Sequence, residues 1–584
     1  MHIQVVTVHN FRSIQEATFA LDQYSLLIGE NNAGKSNLIN ALRVFYEDGI
    51  KYNHNTDFPK FPTDKESWIE IEYKLTESES ESLKKAYRSE DNILRVRKYL
   101  YSENKDVCKT NQSNIYCYEN DSLSTSLFYG AKNISQAKLG KVIYVPEVNK
   151  TSDAMKLTGP SPFRDLINIA FKGIMSGSVA YSELQKSFEI FNSSFSVEGS
   201  SEYTSMTNIV KDINQSIESW GVLFGIEVKP IDVDTIVKTL VSPHLEDGNL
   251  NGARVGIESY GQGMQRHIIF TLIRLASKYT HVSSSVKEGV FDPQFVLLLF
   301  EEPEAFLHPC QQEILNNNLR KMAGGDQQVL ITSHSPAFVS RNISSLSALI
   351  KINKSDAVSA VFQLSNNDID RLFMENSGLY SHCCRLVAEE QTDDDLRKCL
   401  IKYGLGIENP DLDAKLEEES LRYLLWIDSE RSSMFFANIV VICEGPTEKA
   451  ILDYMLNEEW SYLKEYNLYI LDSMGKFNIH RYMNLLGKLG IKHSVIFDLD
   501  DDNSYHKVVN SFIKENVNLY TQQVLTFQKD LEAFLDVELP ARRDLKPINL
   551  MHHLFDRNIR KSKLEQLHEM LKQLVLPQPS TPTA

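Results

Sequence analysis

The chain opens on three β-type segments. Ile3 to Val8, Glu16 to Leu21 and Ser25-Leu-Leu-Ile-Gly29 are rich in β-formers, and polar residues or glycine close each of them, which predicts strands. A helix is predicted from about Asn37 to Phe45. Further on, Met206, Ile209, Val210, Ile213, Ile217 and Trp220 recur at three- and four-residue steps, and Leu184, Phe188 and Phe191 form a second such stripe, the spacing of amphipathic helices. These stripes predict a helical insert over 157–235 between sheet-forming segments, although they also fit helices packed on the main core. Val296 to Phe300 and Val329 to Ser333 read as further strands. An acidic, proline-containing stretch around Asn409-Pro-Asp-Leu-Asp413 predicts a linker, and a fresh β-α pattern begins at Ala437. No repeat of fixed period is present, and Leu576 to Ala584 reads as a disordered tail.

Composition narrows the class. With 584 residues, 42% hydrophobic and 24% charged, the chain has room for two to four domains and is not of a disordered or collagen-like type. Its longest strongly apolar runs are far short of the ~20 residues of a spanning helix. The first residues, Met1-His2-Ile3-Gln4, lack a basic segment followed by an apolar one, so no secretory signal and a cytoplasmic location are expected. Seven cysteines without a CxxC pair support neither a disulfide framework nor a zinc ribbon. A net charge of −17 argues against coating nucleic acid by bulk charge. Charge is unevenly spread, however: residues 389–431 hold 13 acidic and 6 basic side chains, whereas 540–584 hold 8 basic and 4 acidic ones. The first stretch reads as a solvated linker and the second as a candidate phosphate-facing surface.

Gly29-Glu30-Asn31-Asn32-Ala33-Gly34-Lys35-Ser36 fits GxxxxGK[ST], follows a strand and opens a helix, the context that a phosphate-binding loop requires. Backbone N–H groups would cradle phosphate, Lys35 would reach the terminal phosphates and Ser36 would ligate Mg²⁺. Val296-Leu-Leu-Leu-Phe300 ends in Glu301-Glu302-Pro303-Glu304, placing carboxylates at a strand's carboxyl end, where parallel sheets bind ligands. Glu301 is assigned to the metal and Glu302 to orienting water. The strand ending at Ser333 leads into His334, positioned to meet the γ-phosphate.

The order of these pieces resembles the head domains of SMC-like and RecF-like ABC ATPases: Asn10-Phe11-Arg12-Ser13, the phosphate loop, Ser259-Tyr260-Gly261-Gln262-Gly263 opening the apolar segment Ile268 to Ala276, then the Glu pair and His334. The resemblance makes Ser259, Gly261, Gln262 and Gly263 the signature motif, which serves the nucleotide of the opposite subunit. It departs from the family's LSGGQ form, Glu301 stands where the family usually has Asp, and no Q-loop glutamine is assigned. The 223 positions from Ser36 to Ser259 are too many for a minimal transporter ATPase and lack an SMC arm's sustained heptads, so a compact helical insert fits better.

In the last third, the buried strand Ile439 to Cys443 runs into Glu444-Gly445-Pro446-Thr447-Glu448, and Ser494 to Phe497 into Asp498-Leu499-Asp500. Two such strand-end carboxylate sets could hold Mg²⁺ or Mn²⁺ for phosphodiester cleavage. Together they resemble the Toprim domain, with Asp498 and Asp500 as its DxD. An ABC-type head followed by a Toprim domain resembles the overcoming-lysogenisation-defect (OLD) family of nucleases, and Arg431 to Ala437 is similar to that family's junction. The resemblance implies an α/β protein with an ATPase head over 1–156 and 236–380, a dimerisation insert over 157–235, an acidic helical linker over 381–436 and a Rossmann-like Toprim nuclease domain over 437–584. It implies ATP and Mg²⁺ as cofactors with Mn²⁺ as an alternative at the nuclease site, DNA as substrate, a homodimer or higher oligomer, no membrane and a role in antiphage defence, alone or beside a helicase-like protein or a reverse transcriptase. Glu444, Glu448, Asp498 and Asp500 would bind catalytic metal, with Asp530 and Glu532 as the later acidic positions. A late lysine would stabilise transition-state charge, the candidates being Lys561, Lys563 and Lys546. Two rivals stand beside this reading. A topoisomerase or primase would need a strand-passage domain for which the chain has little room, and a nucleotide-switched scaffold would carry an inert Toprim domain.

Overall fold

A computed structural model describes residues 1–576 apart from 120–121, 147–163, 195–199, 219–220, 227–234, 248–251, 272–290, 406–409, 427–428, 501–503, single positions at 306, 341 and 403, and scattered positions within 165–177, 237–243 and 257–294.

Strands β1 (His2–Phe11), β2 (Ile14–Ala20), β4 (Ser67–Lys74), β5 (Ile93–Tyr101), β6 (Ile115–Glu119) and β7 (Ser122–Leu127) form an antiparallel sheet in the order β2-β1-β4-β5-β6-β7. The second sheet takes β3 (Tyr24–Gly29), β8 (Lys141–Val145), β11 (Val296–Glu301), β12 (Gln327–Thr332), β13 (Leu349–Ser355) and β14 (Val358–Gln363) in the order β14-β13-β3-β12-β11-β8. Only the edge strand β14 is antiparallel in it. The central strands are apolar on both faces because both faces are covered, and all six residues of β3 are buried. Strand β12 lies between β3 and β11, with Thr332 registered to Leu27 on one side and to Glu301 on the other. The loop after β3 and the carboxylates after β11 therefore share one sheet edge. A short ribbon, β9 (Leu245–Asp247) with β10 (Ala253–Val255), completes this part.

Strands β15 (Ile439–Cys443), β16 (Leu468–Asp472), β17 (Lys492–Asp498) and β18 (Thr521–Phe527) make an all-parallel sheet in the order β16-β15-β17-β18. β15 and β17 are neighbours, so Glu444 and Asp498 leave the sheet side by side.

The acidic stretch is not a solvated linker. It contributes the helices Asp394–Lys402 and Pro410–Trp426, which follow Asn366–Asn376 and Gly378–Ala388. Leu400, Leu421, Leu424 and Leu425 are buried in one hydrophobic core that also takes in Ile28 and Phe300 of the head and Val440, Ile442 and Tyr482 of the last sheet. Acidity misleads because Glu418 and Glu419 point to solvent beside Arg422 while the leucines face inward. Each such leucine contributes about 1.5–3 kcal/mol by burial, which ties the two sheets together. Lys351 of β13 reinforces the joint: its Nζ donates to the carbonyl of Phe435 at 2.8 Å, and burial holds its pKa down to about 8.

Both apolar stripes of the insert are helical, over Val179–Ser194 and Ser201–Ile217. None of the first helix is buried, and Leu184, Ile190, Phe191 and Ile209 are exposed. Trp220 and residues 577–584 lie outside the described residues, as does Ile268 to Ala276 apart from Ile268 and Thr271. No helix among the described residues is long and apolar enough to cross a membrane.

Candidate functional site

The phosphate loop turns tightly out of β3. Gly34 sits at φ +115°, where a Cβ would lie 2.5 Å from Ser359 Oγ, and it caps the helix Lys35–Phe45. Only glycine satisfies both the left-handed backbone and the close approach. The Asn10 to Ser13 motif locks this loop: Ser13 Oγ meets Ser359 Oγ at 2.7 Å, Asn37 Nδ2 donates to Ser13 Oγ, and Ser359 Oγ donates to the carbonyl of Ala33. Asn31, Asn32 and Ser36 are exposed at the loop. Lys35 Nζ donates to the carbonyls of Gly29 and Glu30, both at 2.9 Å. Burial lowers its pKa, opposed by Glu302, Glu301 and Glu304.

Those carboxylates stand across the sheet edge. Glu301 accepts from the Tyr144 hydroxyl, which burial and this contact push up in pKa. Glu302 takes a left-handed backbone (φ +43°) and places Oε1 3.3 Å from His334 Nε2. Glu304, given no role by the sequence pattern, is buried and accepts from Ser333 Oγ at 2.6 Å and from the backbone N–H of His334 at 2.7 Å, so it shapes the turn that presents the imidazole. Ser259 and Gly261 are exposed, and Gln262 and Gly263 lie outside the described residues. Beside the loop, a cavity of about 360 Å³ is bounded by Gly29, Glu30, Asn31 and His334 of the head and by Phe436, Asn438 and Asn467 next to the last sheet.

The second site is built at the carboxyl ends of β15 and β17. Glu444 Oε2 accepts the Asp498 backbone N–H at 3.2 Å, and Glu448 Oε2 accepts that of Gly445 at 3.0 Å as a capping contact for the helix Pro446–Glu458. Asp530 caps the short helix Leu531–Phe534, whose Glu532 is fully buried. Six carboxylates thus share one region: Glu444, Glu448, Asp498, Asp500, Asp530 and Glu532. Their proximity shows in proton affinity. Burial first, then the charges of Glu448, Glu444, Asp500 and Asp530, raise Asp498 to about 9. Burial, with Glu444 and Glu532, raises Glu448 to about 7.

Among the described residues no three His, Cys, Asp or Glu side chains stand at metal-ligating spacing. The donor set still suits a hard divalent cation: all the donors are oxygen, and Asp498 Oδ1 and Glu532 Oε1 are buried without a hydrogen-bond partner. Two lysines enter. Lys546 Nζ lies 3.4 Å from Glu532 Oε2, as the late-lysine expectation allows. Lys476, which no motif singled out, lies 3.1 Å from Asp500 Oδ2 and 3.8 Å from Glu444 Oε2. Lys561 and Lys563, the other two candidates, stand against other carboxylates. Lys561 is 90% exposed with Glu565 as its partner, and Lys563 reaches Asp536. Both belong to the first turn of the helix Lys561–Val575, where Lys563 Nζ also stands 5.3 Å over the Phe534 ring.

A family model described as "AAA domain, putative AbiEii toxin, Type IV TA system" matches residues 25–340, and one for the TOPRIM domain of overcoming lysogenization defect protein-like chains matches 435–500. The chain is 21% identical to the Old nuclease of Escherichia phage P2 over 507 residues, 85% of this chain and 76% of that one. It is 21% identical to Endonuclease GajA of Bacillus cereus (strain VD045) over 527 residues, 86% and 75% of the two chains. Among solved structures, an Smc head domain from Pyrococcus furiosus, bound to the C-terminal domain of ScpA, overlaps 64% of this chain and 99% of its own at 13% identity with a TM-score of 0.36. The chain therefore belongs, by a match over more than half its length, to the AAA-domain family described above, and it carries an OLD-like Toprim domain after that ATPase domain.

Proposed function

We propose that the protein is an ATP-binding and ATP-hydrolysing, divalent-metal-dependent DNA endonuclease that acts in antiphage defence. The observation that carries this reading is the convergence of six carboxylates, two with unpartnered buried oxygens, at the ends of β15 and β17. Glu444, Glu448, Asp498, Asp500, Asp530 and Glu532 would hold Mg²⁺ or Mn²⁺. When bound, such an ion supplies Lewis-acid stabilisation and lowers the pKa of water. In the reaction a water oxygen bonds to phosphorus, the bond from phosphorus to one sugar oxygen breaks, and that oxygen leaves with a proton. Lys546, held against Glu532, is the cation for charge building on the phosphoryl oxygens.

In the head, Gly34, Lys35, Ser36, Asn31 and Asn32 hold ATP, Glu301 with Ser36 holds its Mg²⁺, and Glu302 beside His334 orients the hydrolytic water. Ser259 to Gly263 would serve the nucleotide of a second subunit. The exposed apolar positions of the 157–235 insert support its assignment as the dimerisation element. The domain limits 1–156 with 236–380, and 437–584, belong to this proposal, as does a defence partner of helicase or reverse-transcriptase type.

The test is supercoiled plasmid incubated with purified protein and Mg²⁺ or Mn²⁺, with and without ATP, beside Lys35→Ala. Nicked or linear product is expected, with a yield that ATP changes in the wild type and not in Lys35→Ala. No cleavage together with no metal binding by calorimetry would leave the inert-Toprim scaffold standing instead.

Metal binding should depend on pH in a defined sense. Asp498 and Glu448, raised to about 9 and about 7, carry protons near neutrality that a cation must displace. Mn²⁺ affinity is therefore expected to rise from about pH 7 to pH 9, with proton release. Calorimetry in two buffers of different ionisation enthalpy measures both, and a flat profile without proton release would refute the assignment.

A further inference from the structure

Lys476 sits in a place that its sequence does not explain. The turn after β16 is tied to the turn after β15: Ser473 N–H donates to the carbonyl of Cys443, Ser473 Oγ to that of Glu444 at 3.0 Å, and Gly475 N–H to that of Glu444 at 2.7 Å. Gly475 at φ +109° closes this turn and delivers Lys476, 2% exposed, between the two carboxylate strands. Its Nζ lies 3.1 Å from Asp500 Oδ2 and 3.8 Å from Glu444 Oε2, and it donates to His506 Nδ1 at 3.2 Å. Asp500 itself takes a left-handed backbone, φ +47°, a conformation that an aspartate keeps only where its surroundings favour it.

We infer that Lys476 is a displaceable resident cation, whose ammonium competes with a divalent metal ion for the oxygens of Glu444 and Asp500. The inference rests on the metal-binding reading above and adds a competitor inside that site. Two carboxylates at a half-buried edge repel each other, and an ammonium between them offsets that repulsion at short range. A divalent ion drawing on the same oxygens would sit within a few ångströms of this ammonium, so one cation must yield. The lysine has four rotatable bonds, and its contact with His506 Nδ1 is one that the ammonium can keep while it gives up the carboxylate oxygens. Lys476 is thus a positioning residue that raises the metal concentration needed to load the site.

The test is Mn²⁺ titration of the full chain by calorimetry and by the EPR signal of free Mn²⁺, for the wild type, Lys476→Met, Lys476→Gln and Lys476→Arg. Gln keeps a hydrogen-bond donor for Asp500 while removing the charge, and circular dichroism reports which variants are folded. Neutral variants should bind Mn²⁺ about tenfold more tightly, the scale of one charge removed from such a contact. Lys476→Arg should stay near the wild-type value. The Mn²⁺ midpoint for plasmid cleavage should fall with the binding constant. A purely structural lysine would lower stability without tightening the metal, so unchanged or weaker binding in a folded neutral variant overturns the inference. A wild type that binds no Mn²⁺ at all overturns the metal site on which it rests.

Discussion

Glu444→Ala should lose DNA cleavage by more than about 100-fold while nucleotide binding stays at the wild-type level. The lower bound follows from what happens elsewhere: displacing a partner in the outer shell of a metal site already costs about 10–100-fold, and Glu444 is proposed to hold the ion directly. Its Oε2 also accepts the backbone N–H of Asp498, and Lys476 stands 3.8 Å from the same oxygen. Truncation therefore removes a ligand and loosens the end of β17 together. The phosphate loop draws on different groups: Ser13, Ser359 and the carbonyls of Gly29 and Glu30. Among the described residues, none of these is hydrogen-bonded or ion-paired to Glu444. Glu444→Gln separates the two effects, because an amide oxygen still accepts from Asp498 N–H while the charge is gone. Plasmid nicking with Mn²⁺ gives the first quantity and binding of a fluorescent ATP analogue the second. Cleavage retained in both variants would refute the site assignment. Cleavage and ATP binding lost together in Glu444→Gln would show that the two sites are not separable as drawn.

Elements that carry these sites were legible where chemistry and burial coincide. A strand covered on both faces must be apolar throughout, so β3, β11, β12 and β15 stand out as short hydrophobic runs. Each leads into a residue placed for chemistry, namely Gly29, Glu301, His334 after Ser333, and Glu444. Antiparallel β4 and β5 escaped because their alternating Glu, Arg and Lys resemble a solvated surface. There the polar face is held by paired charges, with Arg95 and Arg97 both on Glu70. Lys476 left no signal, since a lysine after a glycine turn looks like any surface lysine until the carbonyls of Cys443 and Glu444 fix that turn. Glu304 was visible as a carboxylate, but its role of accepting from Ser333 and His334 exists only across two strands. The acidic segment was misread because charge counted along a chain does not report which face of a helix each charge occupies.

That segment supplies the largest expected loss of stability. Glu417, on the helix Pro410–Trp426, is fully buried, and both its carboxylate oxygens accept from Arg481, through Nε at 2.6 Å and through Nη2. Arg481 also donates from Nη1 to the Phe477 carbonyl and to Asn478 Oδ1, so this guanidinium fixes the turn that follows Lys476. Glu417→Ala leaves a cation that cannot shed its proton inside a core, a change that typically costs about 3–5 kcal/mol. It should lower the urea midpoint sharply. Replacing both partners by apolar side chains, as Glu417→Leu with Arg481→Met, removes the stranded charge and should recover much of that loss, because a buried pair contributes little beyond a well-packed apolar contact. Metal binding isolates the pair's second role. Without the guanidinium, Phe477 and Asn478 lose one of their anchors, the hold of Lys476 on Asp500 loosens, and Mn²⁺ affinity should shift even in a double variant as stable as the wild type. Restored stability with unchanged Mn²⁺ affinity would mean that the turn holds its place by the Ser473 and Gly475 contacts alone, and that the pair serves only to bind the acidic helix to the Toprim sheet.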